Sequence, residues 1–191
     1  MNETTRSRLA LAAYGVAALF AVRLPSFYFL PQSSGSLIVR ELSALLGIAP
    51  HLLLFVVVAA LPAPSWARSA GYGWLAIDMA TDIMALNSVA DTTFLPMRYG
   101  GHIAAALWIA SASWEAKGAT RAVGLLLALD LAGYSFIAPV VSFVALLPSI
   151  VLLPAWFLLV ARHAGRGAED RQDAAAPSFS ARSAHTTARA L

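Results

Sequence analysis

Cysteine is absent from the 191 residues, lysine occurs once, and charged side chains of all kinds make up only 12%. The first absence excludes thiol nucleophiles, disulfide relays, iron–sulfur clusters and cysteine zinc sites, and it leaves the redox compartment open. The lone lysine, Lys117, stands at the end of an apolar run, which excludes a Schiff base in mid-membrane. Neither H-E-x-x-H nor G-x-S-x-G occurs, so the common zinc-protease and hydrolase signatures are missing as well. A soluble domain carries about a quarter of its residues charged. Here 59% are hydrophobic and the mean hydropathy is +0.71, so the surface must meet lipid rather than water. A pI near 9.7 could point to nucleic acid, but the arginines stand at the ends of apolar runs, where membrane topology places them.

A helix needs about 20 apolar residues to cross a bilayer. Runs at 9–29, 41–61, 71–90, 100–116, 121–138 and 142–161 meet that need. Pro25 is expected to bend or break the first, Pro31 to Ser36 to make a polar turn, and Pro62-Ala63-Pro64 to end the second. Asp91 to Gly101 read as a loop, Trp114 to Arg121 as a tight interfacial turn, and Gly133, Pro139 and Ser142 as the last hairpin. With six spans, ten of the thirteen basic residues fall on one side, and only Arg23, Arg40 and Arg98 on the other. The positive-inside rule then makes both termini cytoplasmic. Cleavage of the first run as a signal peptide would leave five spans, but no small-residue cleavage site precedes Arg23. The expected fold is all-α: a six-helix transmembrane bundle over residues 1–162 and a disordered cytoplasmic tail over 163–191. Its setting is a cell membrane, the bacterial inner membrane in this reading.

Four titratable side chains interrupt these apolar runs. At 1.5 Å per residue, Asp78 lies about 10 Å and Asp82 about 16 Å into span three, Asp130 about 12 Å into span five. His51 lies about 14 Å in from the other face. Each aspartate at the bilayer centre costs about 2.5–3.5 kcal/mol, and no arginine or lysine is expected at that depth to offset it. Asp78 and Asp82 are i and i+4 on one helix face and repel each other. Loss of hydration adds to that repulsion, so at least one of the pair is expected to keep its proton and to serve as an acid. The alternative is a polar knot that glues helices through hydrogen bonds.

A second cluster gathers at the outer face: Arg23, Arg40, Glu41, Asp91, Arg98, Tyr99 and His102. Charges there are expected to snorkel and pair loosely. Arg23 is the exception: if the first span continues to Phe29 it lies inside the outer leaflet, where it is a candidate for binding an anionic head group or for reaching Asp91. Trp108 and Tyr134 fall near the acid layer, where an aromatic face can stabilise a cation.

The D-x-x-x-D of Asp78 to Asp82 lacks the upstream D-G-x-x-A-R that accompanies it in CDP-alcohol phosphotransferases. That spacing with a nearby histidine also suits a divalent cation, as in cation diffusion facilitators. Their second-helix placement and folded cytoplasmic domain are missing here, so no metal and no cofactor is expected. The favoured expectation is a membrane-embedded enzyme acting on a lipophilic small molecule. Asp78, Asp82 and Asp130 would be the acids, with His51, Trp108, Tyr134, Arg23 and Arg98 around the substrate. Cyclisation or isomerisation of an isoprenoid chain fits a protonated acid in a dry aromatic cavity, and small bacterial membrane terpene cyclases are similar in format. Two alternatives stand beside it: a proton- or cation-coupled transporter, expected to work as a homo-oligomer, and a non-catalytic assembly factor.

Overall fold

Proline and glycine set the helix limits. Pro64 takes the N-cap position of one helix, so the Pro62–Pro64 segment both ends its predecessor and starts its successor. Gly118, at φ 57°, makes the reversal that the stretch after Trp114 requires. The computed structural model describes residues 1–29, 37–138, 140, 141 and 143–175. They form six helices: α1 (Glu3–Phe29), α2 (Leu37–Ala60), α3 (Ser65–Leu86), α4 (Asp91–Trp114), α5 (Gly118–Ile137) and α6 (Leu147–Ala175). A short 3-10 turn, Phe143–Leu146, precedes α6, and there is no strand among the described residues. Helices α1, α2, α5 and α6 are long and apolar enough to cross a membrane, so the chain is a membrane protein.

Several boundaries differ from the sequence reading. Helix α4 starts at Asp91, not near residue 100, and the expected loop through Pro96 is helical. Asp91 in the first turn suits the helix dipole, and Pro96 so near the start removes only one backbone bond. Helix α1 continues through Pro25 to Phe29, and α3 begins at Ser65 rather than 71. Gly133 lies inside α5, and α6 runs on to Ala175. The polar turn 31–36, Pro139 and Ser142 of the expected hairpin, and residues 176–191 of the expected tail lie outside the described residues.

Consecutive helices pack in sequence order, and α1 closes the circle against α6. Links such as 61–64, 87–90 and 115–117 are too short to run back along a helix, so neighbours are antiparallel. The result is a closed ring in which each helix backbone packs against two others, while side chains such as Arg23 and Trp108 reach further across it. Small residues line the seams, including Ala13, Ala67, Ala105 and Ala161, each fully buried. In lipid, where burial of apolar surface drives little, such residues let backbones approach and gain dispersion contacts.

The middle of the ring is filled by an unbroken circuit of rings. Phe20 meets His51 (centroids 5.7 Å), His51 meets Trp74 (5.7 Å), and Trp74 meets Trp108 (6.0 Å). Trp108 meets Trp156 (5.5 Å), Trp156 meets Phe157 (4.9 Å), and Phe157 stacks back on Phe20 (6.1 Å). Five of the six helices contribute. Gly124 lets α5 join: a Cβ there would collide with the Ser113 hydroxyl and sit 2.5 Å from Trp156 Nε1. Gly124→Ala is therefore expected to cost about 1–3 kcal/mol of stability through overpacking. Gly133→Ala, whose Cβ meets nothing within 4 Å, is expected to be neutral or to gain up to about 1 kcal/mol. Thermal unfolding of the two variants in detergent checks the contrast.

Candidate functional site

Helix α3 turns one stripe inward: Ala67, Gly71, Trp74, Asp78 and Asp82, spaced at helical intervals. Helix α4 does the same with Phe94, Gly101, Ala105 and Trp108, and Arg98 falls on that stripe. Asp78, Asp82 and Arg98 thus face the interior of the ring.

Asp82 is 4% exposed and meets two arginines. Arg98 Nη2 donates to its Oδ1 from α4, and Arg23 Nη2 approaches the same oxygen at 3.7 Å from α1. Arg98 is further held by Thr81, with Nε donating to Oγ1 at 2.8 Å, and by the Asp78 carbonyl at 3.3 Å. Arg23 donates through Nη1 to Ser43 Oγ at 3.1 Å, tying α1 to α2. Gly47 on α2 makes room for this group, because a Cβ there would collide with the Asp82 carboxylate. These contacts correct the expectation that no arginine reaches the acids.

Asp78 belongs to a different partnership. Trp74 Nε1, one turn earlier on the same helix, donates to Asp78 Oδ2 at 2.8 Å. His51 Nε2 meets the same oxygen at 3.2 Å. The other ring nitrogen, Nδ1, lies 2.6 Å from the Gly47 carbonyl oxygen. A carbonyl only accepts, so Nδ1 carries a hydrogen and donates. In a neutral imidazole Nε2 is then an acceptor, and an acceptor facing a carboxylate oxygen needs a proton between them. With Nδ1 donating, the Nε2–Oδ2 contact is a hydrogen bond only when the pair holds one extra proton, as an imidazolium–carboxylate pair or as a neutral acid and base.

A cavity of about 110 Å³ lies over these groups. Arg23, His51, Asp78, Asp82, Arg98 and His102 form its polar wall, with apolar side chains such as Leu95, Leu131 and Leu153 opposite. Two atoms of these residues, Asp78 Oδ1 and His102 Nδ1, are buried away from solvent and have no hydrogen-bond partner among the described residues. Phe20, His51 and Trp74 make its floor and belong to the aromatic circuit.

The two polar clusters of the sequence are thus one site. His51, Asp78 and Asp82 come together with Arg23 and Arg98, and with His102, which sequence reasoning had placed at another depth. Asp130 does not line the cavity: it sits one residue off the inward stripe of α5, against Ser149, with Oδ2 buried and without a hydrogen-bond partner among the described residues. Trp108 and Tyr134 also stand back from it, Trp108 behind Trp74 and Tyr134 edge-on to Tyr99 at 5.3 Å. Arg40 has no described side chain, and Glu41 and Asp91 are exposed. Trp74 and Gly47 were missed, although each stands four residues before a partner already singled out. Among the described residues no three His, Asp or Glu side chains group so as to hold a metal ion.

Compared with protein-family models, curated proteins and solved structures, the chain matches none.

Proposed function

We propose that this chain is a six-span membrane protein whose cavity performs acid–base chemistry on the polar group of a lipophilic substrate. The observation that carries the reading is the contact of His51 Nε2 with Asp78 Oδ2 at 3.2 Å, which a shared proton would join, beside two guanidinium groups in an apolar-walled cavity. The dyad supplies or withdraws that proton, and Arg23 and Arg98 stabilise the negative charge that appears when a substrate oxygen or carbon loses one. Isoprenoid cyclisation is the less favoured form of this chemistry. Its carbocation would face two fixed positive charges, and about 110 Å³ is smaller than the cavity that encloses one benzene, roughly 150 Å³.

Six spans are supported by what α3 and α4 turn outward. Ile83, Met97 and Leu107 are 39–49% exposed, so these helices present apolar side chains to the surroundings while Asp78, Asp82 and Arg98 point in. Trp66 and Trp114, both more than half exposed, stand at the end of the ring where α1 begins and α6 ends, and the Arg121 guanidinium lies 4.9 Å over the Trp114 ring. That is the belt expected at a membrane–water interface, and the basic excess makes it the cytoplasmic one. Because the chain lacks cysteine, single cysteines report topology directly. Asn87→Cys is expected to react with an impermeant maleimide in intact cells, and Ala116→Cys only after permeabilisation. Labelling of both in intact cells would remove the six-span reading.

The function is tested by comparing lipophilic extracts of cells that express the wild type, Asp78→Asn or His51→Gln at matched protein levels. A product present only with the wild type is expected; identical extracts would overturn the reading. A proton-coupled carrier is the second reading, favoured by Ser149, which lines the cavity and stands between it and Asp130. Proton flux in proteoliposomes, lost in Asp130→Asn, separates the two.

A further inference from the structure

We propose that a second recess, at the end of the ring that carries Trp66 and Trp114, holds a zwitterionic head group of the phosphoethanolamine class, with Arg68 taking its phosphate and Glu115 its ammonium. This recess stands apart from the acid–base cavity. The two share no lining residue, and Arg68 precedes Asp78 by ten residues, about 15 Å along α3. The six-span reading enters only in setting the recess at head-group depth, which the cysteine labelling above tests separately.

The recess has a volume of about 450 Å³, within the roughly 300–1,000 Å³ of small-molecule sites. The α2–α3 corner, Ala59 to Pro64, forms one side, and Arg68, Ser111 and Glu115 supply the polar side chains. An arginine and a glutamate in one recess would ordinarily pair. Here they do not, and among the described residues neither side chain has a hydrogen bond or an ion pair with any other group. Both also run against the helix dipole, which favours an acid at a helix start and a base at a helix end. The first turn of α3, Ser65 to Arg68, holds no acid and closes on an arginine, and its cap, Pro64, makes no side-chain hydrogen bond. The last turn of α4 holds no base, and its C-cap is Glu115. Positive charge is thus concentrated at the start of α3 and negative charge at the end of α4. An occupant with one anionic and one cationic group offsets both. Lys117 and Arg121 follow α4 in sequence, but neither lines the recess, and Arg121 is stacked on Trp114.

Hydrogen bonding narrows the class. Ser111 Oγ donates to the Leu107 carbonyl at 2.8 Å, so its hydrogen is spent and its oxygen can only accept. The Glu115 carboxylate and the last carbonyls of a helix accept as well. A primary ammonium brings three hydrogens to such acceptors, and a quaternary ammonium brings none. At the other end, the Arg68 guanidinium and the N–H groups that a helix start leaves unpaired are donors suited to a phosphate. A phosphodiester joined to a primary ammonium by a two-carbon arm meets both sets. A choline head group lacks the hydrogens, and a glycerol head group brings the anion without the cation that Glu115 calls for. The exposed rings of Trp66 and Trp114, close in sequence to Arg68 and Glu115, are of the kind that lies at head-group level.

The test is native mass spectrometry of the full chain released from micelles that hold phosphatidylethanolamine, phosphatidylcholine and phosphatidylglycerol with the same acyl chains in equal amounts. A second arm uses soluble phosphoethanolamine alone. The wild type is expected to retain phosphatidylethanolamine about fivefold over either competitor, the gain that one partly exposed charge pair gives. Arg68→Gln is expected to weaken retention of all three lipids, since each carries the phosphate. Glu115→Gln is expected to erase the preference by a gain of phosphatidylglycerol, which a misfolded variant could not show. Binding of phosphoethanolamine without a preference among the lipids would assign the same chemistry to a free solute. A preference that survives Glu115→Gln, retention unchanged in Arg68→Gln, or no preference in either arm overturns the proposal.

Discussion

Asp82→Asn is expected to destabilise the protein by about 3–5 kcal/mol, the usual cost of removing one partner from a buried ion pair. The substitution keeps the shape of the side chain and removes only its charge. What remains is two guanidinium groups, 8% and 13% exposed at their side chains, facing each other across the α1–α3–α4 seam with no carboxylate between them. Arg98→Met should cost less, because Arg23 still approaches Asp82 at 3.7 Å. The double variant Asp82→Asn/Arg98→Met should recover part of the loss, since one of the two uncompensated charges is gone. Thermal unfolding of the purified proteins in one detergent reads all three. An Asp82→Asn protein that melts with the wild type would show that Asp82 is not the counter-ion that closes the ring.

His51→Gln separates chemistry from packing. Glutamine offers an amide N–H on α2 but no titratable proton, so the shared proton is lost while the polar seam is kept. Product in the extract assay is expected to fall by about 10²–10⁴-fold, the range for removal of a positioned acid–base group. The melting temperature should change less than in Asp82→Asn, because Asp78 keeps the Trp74 hydrogen bond and can take up a proton of its own, whereas two buried guanidinium groups cannot shed theirs. A site that serves only to glue helices predicts the reverse pattern: both variants lose stability and neither alters the extracts. The comparison therefore decides between catalysis and packing even before a substrate is known.

Much of the site was visible in the residues. His51, Asp78 and Asp82 stood out because charge is expensive inside an apolar run, and that expense must be met whatever the fold. Arg23 and Arg98 stood out too, yet as members of a separate outer cluster. Depth counted from the first strongly apolar residue caused the division. Helix α3 starts at Ser65 and α4 at Asp91, earlier than hydropathy suggests, because polar first turns and an early proline are compatible with a helix start. Counted from those starts, Asp82 lies about 25 Å along α3 and Arg98 only about 10 Å from the opposite end of α4, which places them at one level. Asp130, Trp108 and Tyr134 were chosen by depth alone. Depth does not distinguish the face that meets the cavity from the face beside it.

Composition and hydropathy by themselves determined that the chain is helical and lives in a membrane, because 12% charge cannot cover a water-exposed surface of this size. Only the tertiary structure decided that α1 closes on α6, and with it that Arg23 reaches an aspartate 59 residues away. Spacing along a helix governs which side chains share a face, but which faces meet depends on ring closure. The His51–Asp78 contact is likewise a tertiary fact, since one imidazole meets its own helix through Nδ1 and the next helix through Nε2.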